Sequence, residues 1–288
     1  MKQKYWVCKG IALIILVLTV LALFPPNRLL MDPLMTPAEY LAVTPHISLF
    51  GGSLIWIVPS STIIVYGLGV LVLFLAYFFY KDKSYMWAAS FLFWGLGTLL
   101  AGTSYQGLGY QLKCAGQTYC LFTSWFELSY LFMTAISMAF MAVAFSLTTF
   151  KKEKQQPLIR LGMIELGVYT VLLVLGSILQ NRFLISYELF TIFFMPMFVL
   201  FFVLNIISYR KQKSALHKQF IILWILFLVV NAGYYVYYFL GITEMLYNAW
   251  GIVFSANDIL HVGLILWMGF ILIKIRPLIK ENAARVNS

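Results

Sequence analysis

The sequence predicts an all-α integral membrane protein: a polytopic bundle of eight transmembrane helices, one N-terminal helix plus seven, with both termini cytoplasmic. Three observations carry this prediction. Of 288 residues, 62% are hydrophobic and only 10% charged, whereas soluble domains run at about 45–50% apolar and roughly 25% charged. Eight stretches, near 5–24, 55–80, 85–107, 121–149, 161–180, 183–208, 219–240 and 250–273, approach the ~20 apolar residues of a bilayer crossing. The basic residues then sort by parity between those stretches. Lys2, Lys4, Lys9, Lys81, Lys83, Lys151, Lys152, Lys154, Arg160, Arg210, Lys211, Lys213, Lys218, Lys274, Arg276, Lys280 and Arg285 fall on one side, which is 17 of 20. Arg28, Lys113 and Arg182 fall on the other. The positive-inside rule makes the first side cytoplasmic. The net charge of +10 is thereby a topology signal, and no nucleic-acid partner is expected; the lipid bilayer is. The composition also excludes disordered and collagen-like chains.

In chain order, residues 1–24 form the first span. Its lysines followed by an apolar run also fit a signal peptide. No small-x-small cleavage site precedes Pro25-Pro26, so an uncleaved anchor helix is expected. Residues 25–54 form an outer loop holding Asp32, Glu39 and His46. Within it, Thr36-Pro37-Ala38-Glu39 is a capping box with Pro at the first helical position, so a short helix begins there, either a lid lying on the membrane or an ordinary connector. The seven-helix bundle occupies 55–276, and 277–288 is a cytoplasmic tail. Pro59 falls in the first turn of span two, where proline is tolerated, and Pro196 should kink span six. Gly95, Gly97 and Gly102 are helix-packing residues of span three. Tyr234, Tyr235, Tyr237 and Tyr238 suit an interfacial belt.

Cys114 and Cys120 lie in the outer segment between spans three and four, where a disulfide is the default. Cys8, on the cytoplasmic side, is expected to be a free thiol. The chain has no Asn-x-Ser/Thr sequon and only short loops, which favours a bacterial inner membrane.

Ionisable groups in hydrocarbon invite a functional hypothesis. Glu127, Glu165, Glu188, Asp258 and His261 fall in or at the ends of spans, whereas His46 and His217 fall in loops. Glu127 and Asp258 come out on the order of 9–12 Å below the outer surface at 1.5 Å per residue. His261 lies one turn deeper on the face of Asp258, and Asn231 at a similar depth. Tyr105 and Gln106 end span three nearby. Glu165 is expected at the cytoplasmic interface. The sharpest reading is an outward-facing polar site that processes a lipid or small molecule. Asp258 and His261 would do acid/base work, Glu127 would add a second carboxylate, and Asn231, Tyr105 and Gln106 would hold substrate. One imidazole makes a poor zinc site, so no metal or cofactor is expected.

Two rivals use the same residues. A proton-coupled transporter would use them as a relay, with spans two to four and six to eight as a three-plus-one-plus-three repeat. A non-catalytic binding or assembly protein would use them to cap and lock helices. Ser124-Trp125-Phe126-Glu127 and Ser255-Ala256-Asn257-Asp258 both have capping-box spacing. The spans contain no lysine for a retinal Schiff base, and the chain has no P-loop, no Gly-rich dinucleotide fingerprint and no Gly-x-Ser-x-Gly elbow.

Asn257-Asp258-Ile259-Leu260-His261 is similar to the final motif of membrane hydrolases of the alkaline ceramidase and adiponectin-receptor class. Those enzymes place histidines and an aspartate around zinc within seven helices. This chain has Ile265 where their second histidine would follow and Gln106 where an earlier one would fit, so it is not assigned to that class.

Overall fold

The computed structural model describes residues 2–25 and 27–287; the side chains of residues 2–8, 152 and 282–287, and hence that of Cys8, fall outside the described part. The first helix, α1, runs over Lys2–Leu23. After it come α2 (Pro37–Val43) and a hairpin of β1 (His46–Leu49) and β2 (Leu54–Ile57). The bundle helices are α3 (Pro59–Lys81), α4 (Tyr85–Ala101), α6 (Trp125–Thr149), α7 (Lys152–Ile178), α8 (Tyr187–Gln212), α9 (Ala215–Phe239) and α11 (Ala256–Phe270). Short helices α5 (Gly109–Lys113), α10 (Ile242–Trp250) and α12 (Arg276–Asn287) complete the chain. Among the described residues, seven helices are long and apolar enough to cross a membrane.

Those seven pack in a closed ring. Each touches its successor in the order α3, α4, α6, α7, α8, α9, α11, and α11 returns to α3. Close approach depends on small residues, because lipid offers no hydrophobic drive between helices. A Cβ on Gly95 would meet Leu73 Cδ2 of α3 at 2.8 Å, and one on Gly97 would meet Thr134 Oγ1 of α6 at 3.0 Å. Inside the ring, Phe79, Phe91, Phe145, Phe220, Trp224 and Trp267 pack one apolar cluster. A second cluster joins Leu21 of α1 to Leu131 of α6, Tyr169 of α7 and Phe194 of α8. The space between α6, α8 and α9 is about 10 Å³, roughly room for one water.

Several element boundaries differ from those read off the sequence. Ile55, Trp56 and Ile57 belong to an antiparallel hairpin in which His46 pairs with Ile57; their apolar run made them look like the start of span two. Gly241 and Gly251, both at positive φ, separate α10 from α9 and α11, so the last span begins at Ala256. His217 is in the first turn of α9 and buried, with Nδ1 3.0 Å from Asn205 Oδ1 of α8. Helix α7 begins at Lys152, and its first two turns are polar, so Glu165 is mid-helix and half-buried. Pro196 sits inside the continuous helix α8. The expected tail starts as helix α12, with Ile279 buried in the first cluster. Tyr237 is buried and donates from its hydroxyl to Phe254 O, while Tyr235 and Tyr238 are exposed as a belt would have them.

The two ends of the bundle are built differently. One carries a disulfide between Cys114 and Cys120 and is called the disulfide end here. Backbone hydrogen bonds from Met31 N to Cys120 O, Cys120 N to Met35 O and Phe122 N to Leu29 O sew the long loop onto that bridge. Arg182, between α7 and α8, adds bonds to Asp32 Oδ2 and Leu30 O. At the opposite end, Asp82 receives Arg276 Nε at 2.6 Å and Lys280 Nζ at 3.1 Å.

Candidate polar site at the disulfide end

The expected short helix forms as its residues dictate. Thr36 Oγ1 accepts from Glu39 N, and the Glu39 carboxylate reaches back to Thr36 N, giving the predicted capping box on α2. Tyr40 of the same helix lies in the field of Lys113 and Glu127. Burial pushes its hydroxyl above the ordinary range, with Lys113 opposing and Glu127 reinforcing.

Near this helix sits a buried polar chain. A π-turn over Gly102–Gly107 ends α4 and places Ser104 toward α6. Such turns displace the side chains after them from regular helical register. Ser104 Oγ lies 2.6 Å from Ser124 Oγ and 2.8 Å from Glu127 Oε1. Lys113 Nζ donates to the same carboxylate oxygen at 2.9 Å, with both side chains almost wholly buried. Because Ser104 has one hydroxyl proton and Glu127 only accepts, the proton order is fixed. Ser124 donates to Ser104, and Ser104 donates to Glu127. Ser124 makes no side-chain cap on α6; its hydroxyl turns to Ser104 instead.

Lys113 is the residue that sequence reasoning missed. It looked like an outer-loop cation. Its signal was its side: a lysine opposite the basic face of a multi-pass chain, twelve residues before the start of α6 at Trp125, next to a cysteine. Its Nζ also lies 5.4 Å from the centre of the Tyr105 ring. Tyr105 itself is 42% exposed, whereas Gln106 is buried with Oε1 unpartnered.

Asp258 and His261 belong to a different part of the ring, on α11. Asp258 Oδ2 accepts from Ser255 N at 2.6 Å and from Ser255 Oγ at 2.9 Å. Ser255 Oγ in turn accepts from Asp258 N, completing a capping box. Among the described residues, Asp258 Oδ1 is buried with no hydrogen-bond partner, while the His261 ring meets the backbone of Asn257. Asn231 Nδ2 donates to Phe227 O of its own helix. Glu188 lies exposed in the first turn of α8. The structure thus joins Glu127 to Lys113, Ser104 and Ser124, and joins Asp258 to Ser255. Among the described residues no three His, Cys, Asp or Glu side chains are grouped to hold a metal.

No family model, curated protein or solved structure matches the chain. Function must be argued from these contacts.

Proposed function

We propose that this chain is a non-catalytic binding protein of an inner cell membrane, with eight spans, both termini cytoplasmic and the disulfide end outward. One observation carries the reading: the two buried acids at the disulfide end, Glu127 and Asp258, each make a local structural contact. Glu127 is neutralised by Lys113 and takes a serine hydroxyl, and Asp258 is turned back onto the start of α11. A carrier needs a path between its helices, and the packed interior of the ring favours binding over carriage. The eighth span is α1. Leu21 is fully buried, Trp125 Nε1 donates to Leu18 O at 3.1 Å, and Ser177 Oγ donates to Phe24 O. The orientation is supported by the basic residues of the opposite end and by the disulfide, which an oxidising compartment retains.

The test for the structural role of Asp258 is Asp258→Asn. Asp258 is the third residue of α11, and removing its negative charge from the helix start costs about 0.3–1 kcal/mol, so the variant should melt earlier; unchanged or raised stability would remove the observation on which the reading rests. The orientation is tested in right-side-out vesicles with a membrane-impermeant maleimide. A cysteine replacing Asn248 should label and one replacing Ser288 should not.

A second reading has its own observation. Among the described residues Asp258 Oδ1, one turn from His261 on α11, lacks a partner, as a group awaiting a proton or a ligand would. Under that reading, Asp258→Asn stabilises the protein, because functional polar groups are kept at a cost in stability.

A further inference from the structure

In α10, Ile242, Met245, Leu246, Ala249 and Trp250 recur at intervals of three and four residues, so they share one face of the helix. Glu244 and Asn248 share the opposite face, and both are exposed. The helix packs against α9, and Ile242 and Leu246 are partly buried. The rest of the apolar face stays open: Met245 is 63% exposed and Trp250 71%. An open apolar face of this kind marks a protein or membrane contact. What flanks α10 decides between them. Gly241 and Gly251, both at positive φ, turn the chain into and out of it. On either side the chain runs directly into a span, since α9 ends at Phe239 and α11 begins at Ala256. Helix α10 therefore lies where two spans reach the bilayer surface. Exposed Tyr238, Phe239 and Leu240 before it and Ile252 after it join its open face to the lipid-facing surface of those spans. A second copy is a poor occupant. Nine residues make a helix about 14 Å long, whose footprint falls far short of the ~800 Å² that each partner of a stable dimer buries. Charge adds nothing toward anionic headgroups. The chain has no Lys or Arg between Lys218 and Lys274, and Glu244 is the only charged side chain of α10.

We propose that α10 is an interfacial helix that lies in the plane of the bilayer at the disulfide end, with Met245, Ala249 and Trp250 dipped into the boundary between headgroups and acyl chains. Its partner is the lipid surface. Apolar burial holds it there, with the Trp250 indole at headgroup depth, and headgroup charge is not needed. The inference rests on the reading of this chain as a membrane bundle and names the element outside the spans that engages the bilayer. It does not depend on which end of the bundle faces outward.

The full chain with Cys8→Ser carries a nitroxide label at one introduced cysteine at a time: Glu244→Cys, Met245→Cys, Asn248→Cys, Ala249→Cys or Trp250→Cys. Each protein is placed in phosphatidylcholine nanodiscs, which leave both faces of the bilayer open to reagents. Electron paramagnetic resonance then measures collisions with oxygen, which concentrates in lipid, and with a nickel chelate, which stays in water. The ratio of oxygen to nickel access should be several-fold higher at the Met245, Ala249 and Trp250 positions than at the Glu244 and Asn248 positions, because a helix about 10 Å wide sets its two faces at different depths. Phosphatidylglycerol nanodiscs should give the same pattern. Five equally water-exposed positions would overturn the proposal. So would Met245, Ala249 and Trp250 positions closed to both reagents, the mark of a protein partner, or a pattern that appears only with the anionic lipid. Leu228→Cys and Leu266→Cys, at exposed positions within α9 and α11, test the underlying reading separately. Lipid-like labels there beside a water-like α10 sink the docking of α10 alone, whereas water-like labels there sink the membrane reading itself.

Discussion

Lys113 and Glu127 form an ion pair whose value lies in its mutual dependence. Taking two charges out of water is expensive, and their attraction roughly offsets this only while both are present. Removing one partner leaves a buried, uncompensated charge. Lys113→Met and Glu127→Leu should each destabilise the protein, by about 3–5 kcal/mol, because each leaves the other charge buried and unpaired. The double variant Lys113→Met/Glu127→Leu should recover most of that loss. Thermal unfolding of the four proteins in one detergent measures the coupling, and additive losses would show that the pair is unimportant. The individual acids were legible in the sequence, as were their depth and their serine neighbours. What was not legible was the choice between partners. Both Ser124–Glu127 and Ser255–Asp258 have capping-box spacing, yet only the second forms one. Helix α11 offers Asp258 no nearby cation, while α5 swings Lys113 into reach of Glu127.

At the scale of elements, Asp82 clamps α12 to the loop between α3 and α4. Burial by itself would raise the Asp82 carboxyl, but hydrogen bonds from Arg276 and Lys280 outweigh it and hold the group below its ordinary value of 3.8. A carboxyl lowered in the folded state stabilises fully above that ordinary value, and loses the contribution as pH falls through the folded one. Helix α12 should therefore stay docked at neutral pH and loosen only below about pH 3.8, while Asp82→Asn should loosen it at every pH. A spin label on α12, followed from neutral to acid, measures this; equal mobility in both proteins at neutral pH would show that the clamp is idle. The helices themselves were readable from apolar runs. The hairpin was not, because a short apolar run before a helix has no periodicity of its own to separate strand from helix.

For the whole molecule, α1 is the element on which most depends. Its Leu18 carbonyl and that of Phe24, just beyond its end, accept from Trp125 and Ser177, and Leu21 fills a core shared with α6, α7 and α8. A chain beginning at residue 25 would strand two donors and open a cavity at Leu21. A loss of about 2–5 kcal/mol is expected for the leucine alone. Melting of the truncated protein against the full chain measures it, and equal melting would show that α1 is a passenger.

The sequence by itself determined that this is a membrane bundle, where its apolar helices run, which loops carry the positive charge and which cysteines pair. Those properties follow from composition, run length and spacing, which act locally along the chain. Only the tertiary structure decided that Lys113 meets Glu127, that His217 is buried against Asn205, and that the ring closes through α3 and α11. Each of these depends on which helix faces which. In an apolar medium that choice is made by the fit of small residues and a few polar contacts, and no single helix contains that information.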